Sequence, residues 1–324
     1  MENKNTYKKY NDYIKMLSED LGNDLSILKD YYHYNEKQTK EFINNLKKNR
    51  FFNAINILLT HNRSGNAKGL SMPMPSRTDT DVEERSAEKC FISPYERFNC
   101  EQINIDGFIT YDKIDTLAGT VDINFEQAFD DAMDKQKIIS LLMVAFNGER
   151  LAKTSDKNAY PLAQDVHKGW PQKIRDNAPA RVLSRPTIDE NGDYKDIDAV
   201  VKAAIKKIND PIRMSAGLVA ICGRNVLSDY PILNDNGDIS ENTDIILSIK
   251  LLGGLKAFIA PFFPENSILI TELSNLSLYI ENGTLRRIFN DNPRKNRLEN
   301  MISMSIDFVV EDVQSAFLID DIQF

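Results

Sequence analysis

The sequence predicts an α+β protein, and three observations carry that expectation. An apolar stripe at helical spacing runs between Asn124 and Asn147, long enough for one dominant helix. Toward the C-terminus Ile302, Met304, Ile306, Phe308 and Val310 alternate with Ser303, Ser305 and Asp307, the pattern of a long strand with one buried face. Between these two elements, short apolar runs are punctuated by Gly253-Gly254, Pro261 and Pro264, so helices and strands mix along the chain. With 324 residues, 42% hydrophobic and 27% charged, there is material for about two domains.

Residues 1–50 read as a helical arm. Tyr10, Ile14, Leu17 and Leu21 recur every three or four residues, Gly22-Asn23 interrupts them, and a second helix is expected over Glu36–Asn49 with Phe42, Ile43 and Leu46 inward. Ten basic and eight acidic residues give this arm a net of +2, so the remaining 274 residues carry −10 of the total −8. Lys4, Lys8 and Lys9 are followed by Asp12, Lys15, Glu19 and Asp20, which leaves no signal-peptide core. From Thr60 to Lys89 the only large apolar residues are Leu70, Met72, Met74 and Val82. A structureless loop of that length is unusual in a compact domain, so it should project as an extended hairpin or be ordered by a partner chain. It returns through a strand over Gln102–Tyr111, where Ile103, Ile105, Ile109 and Tyr111 alternate.

The long helix follows. Phe125, Phe129, Ala132, Ile139, Met143 and Phe146 form its stripe, Asn124 with Gln127 resembles a capping box, and Asn147-Gly148 supplies the stop. Glu126, Asp130, Asp131 and Asp134 precede Lys135 and Lys137, the charge order a helix dipole favours. Some 24 residues make a rod of roughly 36 Å. Its second half gains Ile138, Leu141, Leu142 and Val144 and should be buried. Another amphipathic helix is expected over Ile197–Ile208, ended by Asn209-Asp210-Pro211, and then strands at Leu218–Cys222 and near Asp244–Leu251, Leu255–Ala260, Ser267–Leu273, Ser277–Ile280 and Ala316–Ile319.

Catalytic constellations are missing. Ser215-Ala216-Gly217 is no nucleophile elbow, and Gly65 to Gly69 with Lys68 lacks phosphate-loop spacing. Asp189, Asn191 and Asp193 place Gly192 wrongly for a calcium loop, and Asn234–Asp238 is likewise a turn. Asp130/Asp131 and Asp320/Asp321 read as solvated pairs. His33, His61 and His167 are far apart, so no metal site is expected; Cys90, Cys100 and Cys222 form no CxxC and fit a reduced, intracellular protein. The apolar run Ile138–Phe146 is about half of a membrane span. An acidic balance argues against a protein that coats nucleic acid. One cluster stands out: Arg286, Arg287, Arg294, Lys295 and Arg297, which either grips a neighbouring subunit or phosphates, or is an exposed turn with capping charges.

A set of uncommon words then recurs in order: Phe146-Asn147-Gly148, Thr154-Ser155-Asp156, Gln164-Asp165-Val166, Gly169-Trp170, Gln172-Lys173, Ala178-Pro179-Ala180-Arg181-Val182, Asn290-Asp291-Asn292-Pro293, Arg297-Leu298-Glu299-Asn300 and Ser305-Ile306-Asp307-Phe308-Val309-Val310-Glu311-Asp312. Together they resemble the major capsid protein of Peduovirus-type tailed bacteriophages, over nearly the whole chain. The resemblance implies the Hong Kong 97 type capsid fold: an N-terminal arm (1–50), partly removed on maturation near Lys29–Tyr34; an extended loop (56–110); a peripheral domain with a long spine helix (111–184); an axial domain (185–285); and return strands of the peripheral domain (286–324). It implies no enzyme and no cofactor. The function implied is self-assembly, in the host cytoplasm, into hexamers and pentamers of an icosahedral virion head. Implied partners are an internal scaffold with its prohead protease, a portal protein and double-stranded DNA bound without sequence specificity, with no membrane. Candidate subunit contacts are Trp170, Arg286, Arg287, Arg294, Lys295 and Arg297. The competing readings are a cellular compartment shell of the same fold, told apart by the absence of DNA, and an α/β enzyme, told apart by a small oligomer under all conditions.

Overall fold

A computed structural model describes residue 15 and residues 32–69, 75–87, 97–119, 125–208, 213–214, 216–227, 232–233, 245–248 and 251–324. The expected helix around Tyr10–Leu21, the Asn124 cap, Cys90, the stop at Asn209-Asp210-Pro211 and the turn at Asn234–Asp238 lie outside those residues.

After a short strand β1 (Tyr32–His33), helix α1 (Glu36–Leu46) opens on a full capping box, with Asn35 and Gln38 each accepting the other's backbone N–H, and buries Phe42, Ile43 and Leu46 as predicted. Helix α2 (Arg50–Ala54), capped by the Asn49 side chain, buries Phe51 and Phe52 completely. Strand β2 (Asn56–Thr60) leads into a ribbon of β3 (Ser64–Asn66) and β4 (Arg97–Asn99), and β5 (Glu101–Thr110) follows. Among the described residues the expected extended hairpin is regular at its base, and residues 75–87 form no strand and are largely exposed. Tyr111 does not continue β5 but starts helix α3 (Tyr111–Gly119): the paired strand begins at Arg297, opposite Thr110, so the ladder has no further partner, and the Tyr111 N–H donates to the Asn296 carbonyl of the hairpin turn. The long helix α4 spans Phe125–Asn147, and Leu141, Leu142, Val144, Ala145 and Phe146 in its second half are buried.

Helix α5 (Trp170–Asn177), strand β6 (Val182–Ser184) and helix α6 (Ile197–Ile205) precede strands β7 (Leu218–Cys222), β8 (Ile232–Leu233), β9 (Ile246–Ser248), β10 (Lys256–Ile259), β11 (Ile268–Glu272), β12 (Leu276–Glu281), β13 (Arg286–Asn292), β14 (Arg297–Val310) and β15 (Phe317–Asp320). One sheet has the order β1-β13-β14-β12-β2, and β5 also pairs with β14. The register shows how β14 serves both sides. Ile306 faces Ile280 of β12 and Glu101 of β5, while Ser303 faces Arg286 of β13 and Asn104 of β5. Strands β12 and β13 thus follow one another along one edge of β14, with β5 along the other.

The predicted polar face of β14 is corrected by this placement. Ser303, Asp307 and Glu311 are buried, and around Asp307 and Glu311 the β3–β4 ribbon and its flanks cover the face with Phe98, Ala67 and Cys100, packed on Tyr279 and Val309. The second sheet, β6-β15-β11-β7-β10-β9-β8, is also covered on both faces. Ile268 and Ile270 of β11 pack with Val200, Val201 and Ala204 of α6, whereas Leu269 between them joins the main core with Phe146 and Trp170. Two-sided burial explains why these strands read as unbroken apolar runs rather than alternations. Each fully buried Leu or Ile contributes about 1.5–3 kcal/mol.

Sheet membership cuts across the sequence segments. Strands β6 and β15, from 111–184 and 286–324, pair with the strands of 185–285, and β12 from 185–285 lies in the first sheet. Strand pairing is non-local, so linear boundaries at 184/185 and 285/286 do not mark where one sheet ends.

Candidate assembly interface

Several of the words that carry the resemblance meet at one buried locus. Trp170 is fully buried, with its ring 5.2 Å from that of Phe308, 5.6 Å from Phe146 and 5.9 Å from Phe51, and its indole N–H donates to the Ser277 carbonyl at 3.1 Å. Gly148 and Gly169 let the end of α4 and the start of α5 touch: the Gly169 N–H donates to Gly148 O at 2.9 Å, and a Cβ at either residue would collide with backbone oxygens. Asn147 Nδ2 ties the helix end to Met143 O and Phe262 O. Asp165 Oδ2 accepts from the Asp156 N–H at 2.8 Å, joining two of the words across a loop. Lys173 pairs with Asp307 at 2.9 Å. The residues of these words that are buried, Phe146, Asp165, Trp170, Asp307 and Phe308 among them, build the interior of the subunit.

That interior includes a polar cluster beneath the ribbon. Asp307 accepts from the Asn99 backbone N–H, and Tyr279 donates to Glu311 while accepting from the Lys68 N–H. Burial raises the Tyr279 phenol well above its ordinary value and pushes the Cys100 thiol up to about 12, so that this cysteine packs as an inert apolar group. Sequence reasoning missed the cluster, although His167, Lys173 and Asp307 all lay in or beside the resembling words; alternation placed Asp307 on the polar face, and nothing local marks that a distant ribbon covers it.

The candidate contact residues separate into two groups. Trp170 has no surface to offer a neighbour, because its ring fills the core of its own chain. Arg287 is also buried: its Nε donates to Asn300 Oδ1 at 2.8 Å, its guanidinium lies 4.1 Å from the Phe289 ring, and Asn300 reaches Met133 on α4. Arg286, Arg294 and Lys295 are exposed. Arg294 and Lys295 sit in the 3-10 turn Pro293–Lys295 that closes the β13–β14 hairpin, with Asn296 at φ 48° in the left-handed region. Arg297 is half-buried; it pairs with Glu299 at 2.6 Å and covers the ring of Phe108 at 4.4 Å. Hydrogen bonds from Asn290 and Arg297 hold the Glu299 carboxyl below the usual range. Phe108 keeps 57% of its surface exposed and Val82, on the extended loop, 82%. Exposed apolar side chains rimmed by charge are what a subunit contact needs.

Among the described residues no group of three or more His, Cys, Asp or Glu could hold a metal ion, and no helix is long and apolar enough to cross a membrane.

A family model described as "Phage major capsid protein, P2 family" matches residues 9–322. The sequence is 34% identical over 336 residues to the capsid proteins of Escherichia phage P2, covering 97% of this chain and 94% of that one. It is 34% identical over 262 residues to the major capsid protein of Serratia phage KSP20, with 76% and 74% covered. Among solved structures, a chain of the satellite phage P4 procapsid that includes the size determination (Sid) protein matches with a TM-score of 0.75 and 32% identity, covering 88% of this chain and 100% of that chain.

Proposed function

Because the chain belongs to the P2 family of phage major capsid proteins, we propose that it closes into hexamers and pentamers of an icosahedral head around double-stranded DNA. It is a structural protein of the virion capsid with the Hong Kong 97 type fold, and it assembles with copies of itself into a shell. One observation supports this reading: similarity to the phage P2 capsid proteins runs over 97% of the chain. A cellular compartment shell and an enzyme both fit that similarity less well.

The parts take up roles accordingly. Residues 56–110 act as the extended loop reaching a neighbouring subunit, which supplies the apolar contacts that residues 75–87 lack alone. Residues 111–184 and 286–324 form the peripheral domain with α4 as its spine, and 185–285 the axial domain. Capsomers are rings, so the contacts are heterologous and many weak ones add on closure. Arg286, Arg294, Lys295 and Arg297 meet acidic groups on the adjacent subunit, and the −10 body presents a wall to which packaged DNA does not adhere. Assembly takes place in the host cytoplasm on an internal scaffold with its protease, and one vertex takes a portal protein.

The arm is partly removed on maturation near Lys29–Tyr34. Since β1 pairs Tyr32 and His33 with Arg287 and Arg286, and the Tyr34 N–H donates to Leu285 O, a cut that frees the arm falls before Tyr32. Co-expression with the scaffold, followed by negative-stain microscopy and intact-mass measurement, tests both points. The expected result is closed shells whose mature chains lack about 30 residues, the length upstream of the β1 anchor. Small oligomers alone would reject the shell, and full-length chains in closed shells formed with the scaffold and its protease would reject the cleavage.

A further inference from the structure

The cluster under the extended loop contains two buried atoms that shell assembly leaves without a task. Asp307 Oδ2 accepts from the Asn99 N–H on β4 at 2.8 Å and from Lys173 Nζ on α5 at 2.9 Å. Lys173 Nζ is also 2.9 Å from Oδ1, but its hydrogen bond goes to Oδ2. Oδ1 therefore lacks a hydrogen bond, and it faces His167 Nε2, equally buried and equally unpartnered, across 3.7 Å. The tautomer explains the gap. His167 Nδ1 is 3.1 Å from the Lys168 carbonyl, which can only accept, so Nδ1 carries the hydrogen and neutral Nε2 presents a lone pair. Two acceptors face one another, and a single added proton turns them into a charge-assisted donor–acceptor pair.

We propose that His167 and Asp307 form a proton-operated latch at the root of the extended loop: uptake of one proton at Nε2 closes the gap to Oδ1 and pins the segment before α5 to β14 beneath Asn99. The loop root is the element this would stiffen. One of its legs hangs on Asp307 through Asn99; the other hangs on Tyr279 through the Lys68 N–H, with Phe98 stacked on the Tyr279 ring at 4.7 Å. The groups around the imidazole are few. Asp307 of β14 and Glu101 of β5 favour its charge, Lys173 of α5 opposes it, the Phe308 ring packs edge-on at 6.3 Å, and burial opposes charge most strongly. The net direction is a pKa below the ordinary 6.5. Linkage fixes the sign: the unfolded chain takes up this proton first, so subunit stability declines as pH falls from 6.5 toward the folded value, and the latch closes only at the acidic end of that window.

The test uses the full-length chain as unassembled subunits, with histidine-selective nitrogen NMR and backbone hydrogen exchange from about pH 8 to about pH 5. Expected are an Nδ1–H tautomer at neutral pH, a His167 titration below that of an exposed histidine, and, for local openings that detach Asn99 while His167 stays buried, exchange at the Asn99 amide, corrected for its intrinsic pH dependence, slowing about tenfold as the imidazolium forms. His167→Gln supplies an amide donor that does not titrate, so its Asn99 protection should be independent of pH. An Nε2–H tautomer at neutral pH, Asn99 protection unchanged through the titration, or a surviving pH response in His167→Gln would each overturn the proposal. The first two are read on the wild-type chain and hold even if the variant fails to fold.

Discussion

Trp170→Ala is expected to destabilise the subunit by about 4 kcal/mol, in the ~3–5 kcal/mol range for truncating a large buried aromatic. Its ring is the common neighbour of Phe51 on α2, Phe146 on α4 and Phe308 on β14, so its removal opens a cavity that three separate elements must fill at once. It also leaves the buried Ser277 carbonyl without the indole donor, a further loss of about 1 kcal/mol. Trp170→Phe keeps most of the apolar volume and loses the donor, so about 1–2 kcal/mol is expected. The measurement is urea unfolding of the unassembled chain followed by far-ultraviolet circular dichroism, since the chain has only this tryptophan and loses its fluorescence with it. A midpoint for Trp170→Ala within error of the wild type would show that the site does not hold these elements together.

The second large effect concerns assembly. Reversing Arg294 and Arg297 to Glu is expected to abolish shells while leaving a folded subunit. The two positions contribute differently. Arg294 is exposed in the hairpin turn with no ion pair among the described residues, so its reversal removes nothing within the subunit. Arg297 holds Glu299 and shields Phe108, so its reversal places like charges together and costs the subunit a few tenths of a kcal/mol up to about 1 kcal/mol. Arg294→Glu with Lys295→Glu therefore isolates the contact between subunits. An exposed ion pair is worth under about 1 kcal/mol, but a ring repeats the loss at every interface. Negative-stain microscopy decides: normal particles from Arg294→Glu/Lys295→Glu would remove the hairpin tip from the interface.

Local elements were legible because local rules form them. The apolar faces of α1, α4 and α6, the strand Leu218–Cys222 and the part of β14 from Ile302 to Val310 follow from spacing and alternation, each acting within a few residues. Tyr111 shows where such rules stop. Its alternation continues β5, yet the partner strand β14 begins only at Arg297, opposite Thr110, so the ladder stops and the chain turns into a helix. Trp170 and Arg287 failed as surface candidates for the same reason. A residue in a distinctive word, or in a run of basic residues, carries no local mark of whether a distant element covers it.

The sequence by itself determined that this chain is an acidic α+β protein without catalytic constellations, with one long helix, one long strand and a polar loop too poor in apolar residues to pack alone. Its uncommon words were sufficient to place it among phage capsid proteins. Only the tertiary structure decided which face of β14 is buried, which positive charges reach the surface, and that His167, Lys173 and Asp307 belong to one interior under the loop root. The physical reason is range. Helical and strand periods are imposed within a few residues, whereas burial depends on what crosses from afar, here a three-residue ribbon laid over a strand more than 200 positions away in the chain. That crossing turned a predicted polar surface into a buried charge cluster.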